Sequence, residues 1–208
     1  MDALTSNIGQ CLWTGIADAD TAATVADRLL SDDMFSGWGI RTLAASMSAY
    51  NPMSYHNGSV WPHDNALCAA GLMRYGFTGH AQRVAQAIFD AAAHFGYRLP
   101  ELFCGFPRED YPVPIPYPTS CSPQAWAAAA PLHLLTTLLR ITPHPSAGRL
   151  WCAPAIPGRY LPLRVTGLRL GQAHLTIDVH GDSWDLTGLD GTGIELVREP
   201  RTCHSAAR

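Results

Sequence analysis

The sequence predicts a mainly α-helical fold, a partial α/α toroid followed by a small antiparallel β tail. Three observations carry that expectation. Apolar residues recur at three- and four-residue intervals in several successive segments of the first part of the chain. Polar and aromatic residues gather in the stretches joining those segments, where paired helices of a toroid would present them at one end of a central funnel. Beyond Thr142-Pro143-His144-Pro145 the composition changes to short, β-branched or alternating runs divided by Gly and Asp. The expected organisation is residues 1–142 as part of a toroid, 147–198 as a β-rich subdomain and 199–208 as a disordered tail.

Ser6 or Asn7 is a candidate cap for a short first helix carrying Ile8, Leu12 and Ile16. Ala22, Val25, Ala26, Leu29 and Leu30 make the apolar stripe of a second. Ser36-Gly37-Trp38-Gly39 then breaks the pattern with a turn. Asp64 or Asn65 is a candidate cap for a helix that Gly76 ends, and Thr78 for the next, whose face is Ala81, Val84, Ala85, Ile88, Ala92 and Phe95. Ser122-Pro123 opens an alanine- and leucine-rich helix to about Leu139, with Pro131 expected to kink it. Strands are expected over 161–170, 173–179, 184–189 and 194–197.

The chain has 208 residues, 47% hydrophobic and 15% charged, enough for a substantial core. Its formal net charge of -3 provides no basic field for a nucleic acid or an anionic membrane, so neither is an expected partner. The six cysteines form no Cys-x-x-Cys pair and no zinc spacing, so they read as reduced and mostly buried, and no metal or cofactor is expected. Met1-Asp2-Ala3-Leu4 lacks the basic and apolar regions of a leader, and no apolar run approaches the roughly 20 residues of a membrane span. The expected location is cytoplasmic.

Two loops concentrate the chemistry. The first, at 50–65, holds Tyr50, Tyr55, His56, Asn57, Trp61, His63 and Asp64; the second, at 99–126, holds Glu101, Phe103, Phe106, Tyr117, Gln124 and Trp126. Aromatic faces suit the C–H faces of a pyranose, and amides, imidazoles and carboxylates suit its hydroxyls. Packing is the competing reading for Trp38, Trp61 and Trp126, helix capping for Asp64, and a buried ion pair, with Asp64 for example, for Arg41.

The order Gly37-Trp38-Gly39-Ile40-Arg41-Thr42-Leu43, then Tyr50-Asn51-Pro52-Met53-Ser54-Tyr55-His56-Asn57-Gly58-Ser59-Val60-Trp61-Pro62-His63-Asp64-Asn65, then Leu99-Pro100-Glu101-Leu102-Phe103, then Cys121-Ser122-Pro123-Gln124-Ala125-Trp126 resembles the C-terminal half of bacterial glycogen-debranching, amylo-α-1,6-glucosidase-like proteins with a six-hairpin toroid. The resemblance reaches to about Leu139. It implies a glycoside hydrolase acting on α-glucosidic linkages of glycogen-like or oligosaccharide material by inversion, with Glu101 as general base. Trp38, Arg41, Tyr55, His56, Asn57, Trp61, Asp64, Gln124 and Trp126 would shape the sugar subsites. The family's general acid lies on an earlier hairpin with no counterpart in this sequence, so the expected partners are a carbohydrate and the N-terminal half of the catalytic domain. The alternative is a non-catalytic carbohydrate-binding or structural remnant.

Overall fold

The computed structural model describes residues 3–201. Among these, the amphipathic segments form five helices: α1 (Ile8–Thr14), α2 (Ala19–Leu29), α3 (Pro62–Arg74), α4 (Thr78–His94) and α5 (Ala125–Leu139). The chain divides into two compact units, one ending at Leu135 and the other starting at Thr136.

In the first unit α2 is capped by Asp18, whose Oδ1 accepts the Thr21 N–H at 2.7 Å, and it buries Ala22, Ala26 and Leu29. α1 packs on α3 through glycines. A Cβ on Gly9 would strike Cys68 Sγ, and one on Gly71 would come within 2.6 Å of the Trp13 backbone nitrogen. Gly76, at φ 86°, follows the end of α3, and α4 begins at Thr78, turning Ala81, Val84, Ala85, Ile88 and Ala92 inward as their spacing predicts.

Three helix starts differ from expectation. α3 begins at Pro62 with Trp61 as its N-cap, so Asp64 lies in the first turn and Asn65 within the helix. Phe77, not Thr78, is the N-cap of α4. α5 begins at Ala125, after Ser122-Pro123, and the Gln124 side-chain oxygen accepts the Ala125 N–H at 2.7 Å.

The loops between these helices are braced by single antiparallel bridges: Arg41 to Val60, Val60 to Phe103, and Phe103 to Pro116. Val60 and Phe103 exchange both backbone hydrogen bonds, at 2.9 and 3.0 Å. Asn65 ties α3 to the same network. Its Oδ1 accepts the Ile40 N–H at 2.7 Å, and its Nδ2 donates to the carbonyls of Ile40 at 3.1 Å and Trp61 at 3.0 Å. Gly105 packs directly on the Gly58 carbonyl, leaving no room for a side chain.

The second unit holds six short strands: β1 (Thr142–His144), β2 (Arg149–Trp151), β3 (Leu163–Leu170), β4 (Ala173–His180), β5 (Ser183–Thr187) and β6 (Glu195–Val197). β3, β4 and β5 form an antiparallel sheet in that order. Along β4, Leu175, Ile177 and Val179 are buried while His174, Thr176 and Asp178 are not, the alternation of a half-buried strand. The other sheet, β1-β2-β6, pairs β2 with β6 in parallel. Of the 199–208 tail expected to be disordered, residues 202–208 lie outside the described residues.

The mainly-α partial toroid is therefore corrected. With 35% helix, 19% strand, five helices and two three-stranded sheets among the described residues, the fold is mixed α/β. The physical reason is visible in the sequence between helices. Glycine and proline interrupt any helical period in the stretches before α3 and before α5, and those stretches satisfy their backbone groups by cross-bridging instead. β1 occupies the stretch read as a boundary, and β2 lies within the part expected to be β-rich but outside the four runs expected as strands.

Because Asn65 is fully buried and satisfies both backbone groups of Ile40, Asn65→Ala is expected to destabilise the protein by about 2–4 kcal/mol. A denaturant titration measures this as a lower midpoint at unchanged slope; a loss below about 0.5 kcal/mol would show that Asn65 does not hold the two segments together.

Candidate functional site

Glu101 stands two residues before the bridge at Phe103, and its own N–H donates to the Cys121 carbonyl at 3.0 Å. Both of its flanks are thus fixed by backbone pairing, and the residue is only 6% exposed. A buried carboxylate needs partners, and two side chains supply them. The Tyr55 hydroxyl hydrogen-bonds to it from the first loop. Gln124 Nε2 donates to Glu101 Oε1 at 3.3 Å from the start of α5.

The phenol of Tyr55 is pushed above its ordinary pKa, first by burial and then by the hydrogen bond to Glu101 and that group's negative charge.

Around this pair the aromatic side chains of both loops meet. Tyr55 packs edge-on against His56 at 4.7 Å, Trp61 at 5.0 Å and Tyr117 at 5.7 Å between ring centres. His56 stacks on Trp61 at 5.8 Å with an interplanar angle of 8°. Trp61 is nearly buried, its Nε1 donating to the Tyr55 carbonyl at 3.1 Å and to Ser59 Oγ at 3.0 Å. Its edge meets Trp126 at 5.9 Å, and Trp126, 41% exposed, stacks on His63 at 4.8 Å. One end of the cluster is packed and the other is open to solvent, the form of a platform for an apolar sugar face.

Other residues assigned to sugar binding from the sequence lie elsewhere or are otherwise engaged. Trp38 is 1% exposed; its Nε1 donates to the Tyr111 carbonyl at 3.1 Å, its edge meets His94, and the Arg108 guanidinium lies 4.1 Å from its ring centre. Arg41, 3% exposed, gives Nε to the Gly105 carbonyl at 2.8 Å and Nη1 to the carbonyls of Asp32 and Asp33 at 3.1 and 3.3 Å. It joins backbone segments and makes no ion pair with Asp64. Asn57 is exposed, and its backbone closes the turn by donating to Ser54 Oγ at 3.2 Å and accepting from the Asn51 N–H at 2.8 Å. Asp64 accepts from Gln10 Nε2 at 2.9 Å through Oδ1, while Oδ2 is buried with no hydrogen-bond partner among the described residues. Phe103 is fully buried against Phe95 and belongs to the core.

Sequence reading missed the stacking of His63 on Trp126 and the closing role of Arg108. Helical spacing gave no sign of the first, because the partners lie on α3 and α5. Nothing in the chain near Arg108 marked it as the residue that covers Trp38 and pairs with Asp90 at 2.9 Å. Among the described residues no group of His, Cys, Asp or Glu is placed to hold a metal ion, and the described cysteines, Cys11, Cys68, Cys104, Cys121 and Cys152, are free thiols. No described helix is long and apolar enough to cross a membrane.

Replacing Glu101 with Gln removes the charge that faces Tyr55, so the Tyr55 phenol is expected to titrate at lower pH than in the wild type. Carbon-13 tyrosine NMR resolves this among the seven tyrosines; an unmoved Tyr55 titration would separate the two groups.

Comparison with known proteins bears on the family at a coarse level. The model of the mannosylglycerate hydrolase MGH1-like glycoside hydrolase domain matches residues 4–101, just under half of the chain. No curated protein matches. Among solved structures, an uncharacterized conserved protein from Thermus thermophilus is similar with a TM-score of 0.48 at 20% identity, over 65% of this chain and 30% of that one. The chain thus spans less than a third of that protein's length. The domain match supports a glycosidase-like family and a glycosidase-type enzyme, without pointing to glycogen debranching in particular.

Proposed function

We propose that this chain supplies the general-base side of an inverting glycoside hydrolase, with Glu101 as the base and an α-glucosidic linkage of a glycogen-like or oligosaccharide substrate as the bond cleaved. The observation that supports this reading is the placement of a single carboxylate, nearly buried and held by two donors, at the closed end of an aromatic platform whose other end is open. A sugar stacked on Trp126 and Trp61 would lie across that platform. Glu101 would take a proton from a water as its oxygen attacks the anomeric carbon from the face opposite the leaving group.

Inversion requires a second carboxyl, a general acid, about 6.5–9.5 Å from the first. Following the resemblance to the debranching proteins, we place that acid on an earlier hairpin of the complete catalytic domain, and the segment bearing it becomes the chain's natural partner. The domain match favours one competing substrate. Its name specifies a mannosyl glycoside of glycerate, so a mannoside with a small acidic aglycone belongs beside the α-glucosides in any trial. A carbohydrate-binding remnant without turnover is the reading from a different class.

Hydrolysis of malto-oligosaccharides, branched glucan and mannosylglycerate, followed by NMR of the first-formed anomer, distinguishes these. The hydrolase reading expects the inverted anomer, and a loss of about 10²–10⁴-fold in turnover for Glu101→Gln with binding kept within a few fold. Undiminished turnover in that variant removes Glu101 from the mechanism. Sugar binding without turnover, even when the upstream segment is supplied, favours the remnant.

A further inference from the structure

We propose that Gln124 is a positioning residue for Glu101, coupling the carboxylate to the first turn of α5, and not a sugar contact. Its catalytic meaning rests on the reading of Glu101 as a base. The amide has one orientation open to it. Its Oε1 accepts the Ala125 N–H at 2.7 Å, and its Nε2 stands 3.3 Å from Glu101 Oε1. Turned over, it would set a donor against a donor and an oxygen against a carboxylate oxygen.

The Ala125 N–H is one of the first donors of α5, which have no acceptor within the helix. Gln124 therefore satisfies that donor and passes the polarity of the helix start on to Glu101. Tyr55 holds the same carboxylate from the other loop. Gripped by a phenol and an amide that belong to different segments, the carboxylate is kept in one rotamer, as a base that must meet a water at one place requires. Both amide ends of Gln124 are engaged, which leaves it poorly suited to reading a sugar hydroxyl.

Exchanging the two side chains tests the coupling. Thermal unfolding of the wild type, Glu101→Gln, Gln124→Glu and the double variant is compared at pH 7.5 and pH 5.0, without sugar. Tyr117 and Cys121 act on Tyr55 beside the pair and His56 packs on Tyr55, while on the helices His63 stacks on Trp126, two residues from Gln124, and His133 on α5 is influenced by His63; all are present in every variant, so their own titration is common to the four proteins. Gln124→Glu keeps an oxygen for the Ala125 N–H, and a carboxylate at a helix start is by itself favourable. A residue acting only as a cap would thus give a Tm at or above wild type at both pH values.

The coupling instead predicts a Tm lower by about 2–4 °C at pH 7.5, where two carboxylates face each other. The like charge raises a folded-state carboxyl pKa above its unfolded value, so the stability is present at low pH and is lost as pH rises; the deficit should shrink at pH 5.0. In the double variant amide and carboxylate have changed places, and the Tm at pH 7.5 should return to that of the wild type. Should Gln124→Glu fail to fold, recovery of a folded double variant gives the same support. A Gln124→Glu protein as stable as wild type at pH 7.5, or a double variant no better than the sum of its parts, overturns the proposal. No substrate enters the measurement, so its failure is distinct from a failure of the hydrolase reading.

Discussion

Val60 and Phe103 exchange both of their backbone hydrogen bonds, and this one pairing of distant loops carries the arrangement around Glu101. The pairing is flanked by Arg41 on one side and Pro116 on the other, so four chain segments without helix or regular sheet lie in register. Isolated bridges of this kind are weak by themselves. They persist here because the side chains at them, Val60 and Phe103, are fully buried, and because Arg41 and Asn65 satisfy the nearby carbonyls that no strand partner reaches. With the register set, Tyr55 and Trp61 on one loop and Glu101, Tyr117 and Gln124 on the other have no choice but to meet.

Burial then sorts the aromatic residues. Trp38 and Phe103 turn inward and serve packing, Trp38 under the Arg108 guanidinium. Trp61 occupies the border, its indole N–H used up locally, and Trp126 remains largely open. The polar residues divide the same way. Arg41 and Asn65 spend their donors on backbone carbonyls, whereas Tyr55 and Gln124 direct theirs at the Glu101 carboxylate.

Much of the helical framework was legible, because α2 and α4 have apolar stripes of period 3.6 that tertiary structure had no reason to override. β4 was legible for the same reason at period 2. The overall class was not. Counting helices extends naturally to a toroid, while the bridges among loops and the parallel pairing of β2 with β6 depend on contacts between residues far apart in the chain, which periodicity does not register. In the candidate site the residue types were readable and their division of labour was not. Arg41 and Trp38 have the composition of sugar ligands and the burial of structural groups. The Gln124 to Glu101 contact joins residues 23 positions apart across a proline-rich loop, a distance only the folded chain reveals.

The proposed role in sugar processing depends on the open aromatic platform being where a sugar lies. The chain has six tryptophans, so a nitrogen-15 correlation spectrum shows at most six indole signals, and each is assignable by substitution. On titration with a malto-oligosaccharide or mannosylglycerate, the Trp126 and Trp61 indole signals should move together and saturably while that of Trp38 stays fixed. Signals that move only at Trp38, or nowhere among the indoles at saturating sugar, would contradict that placement.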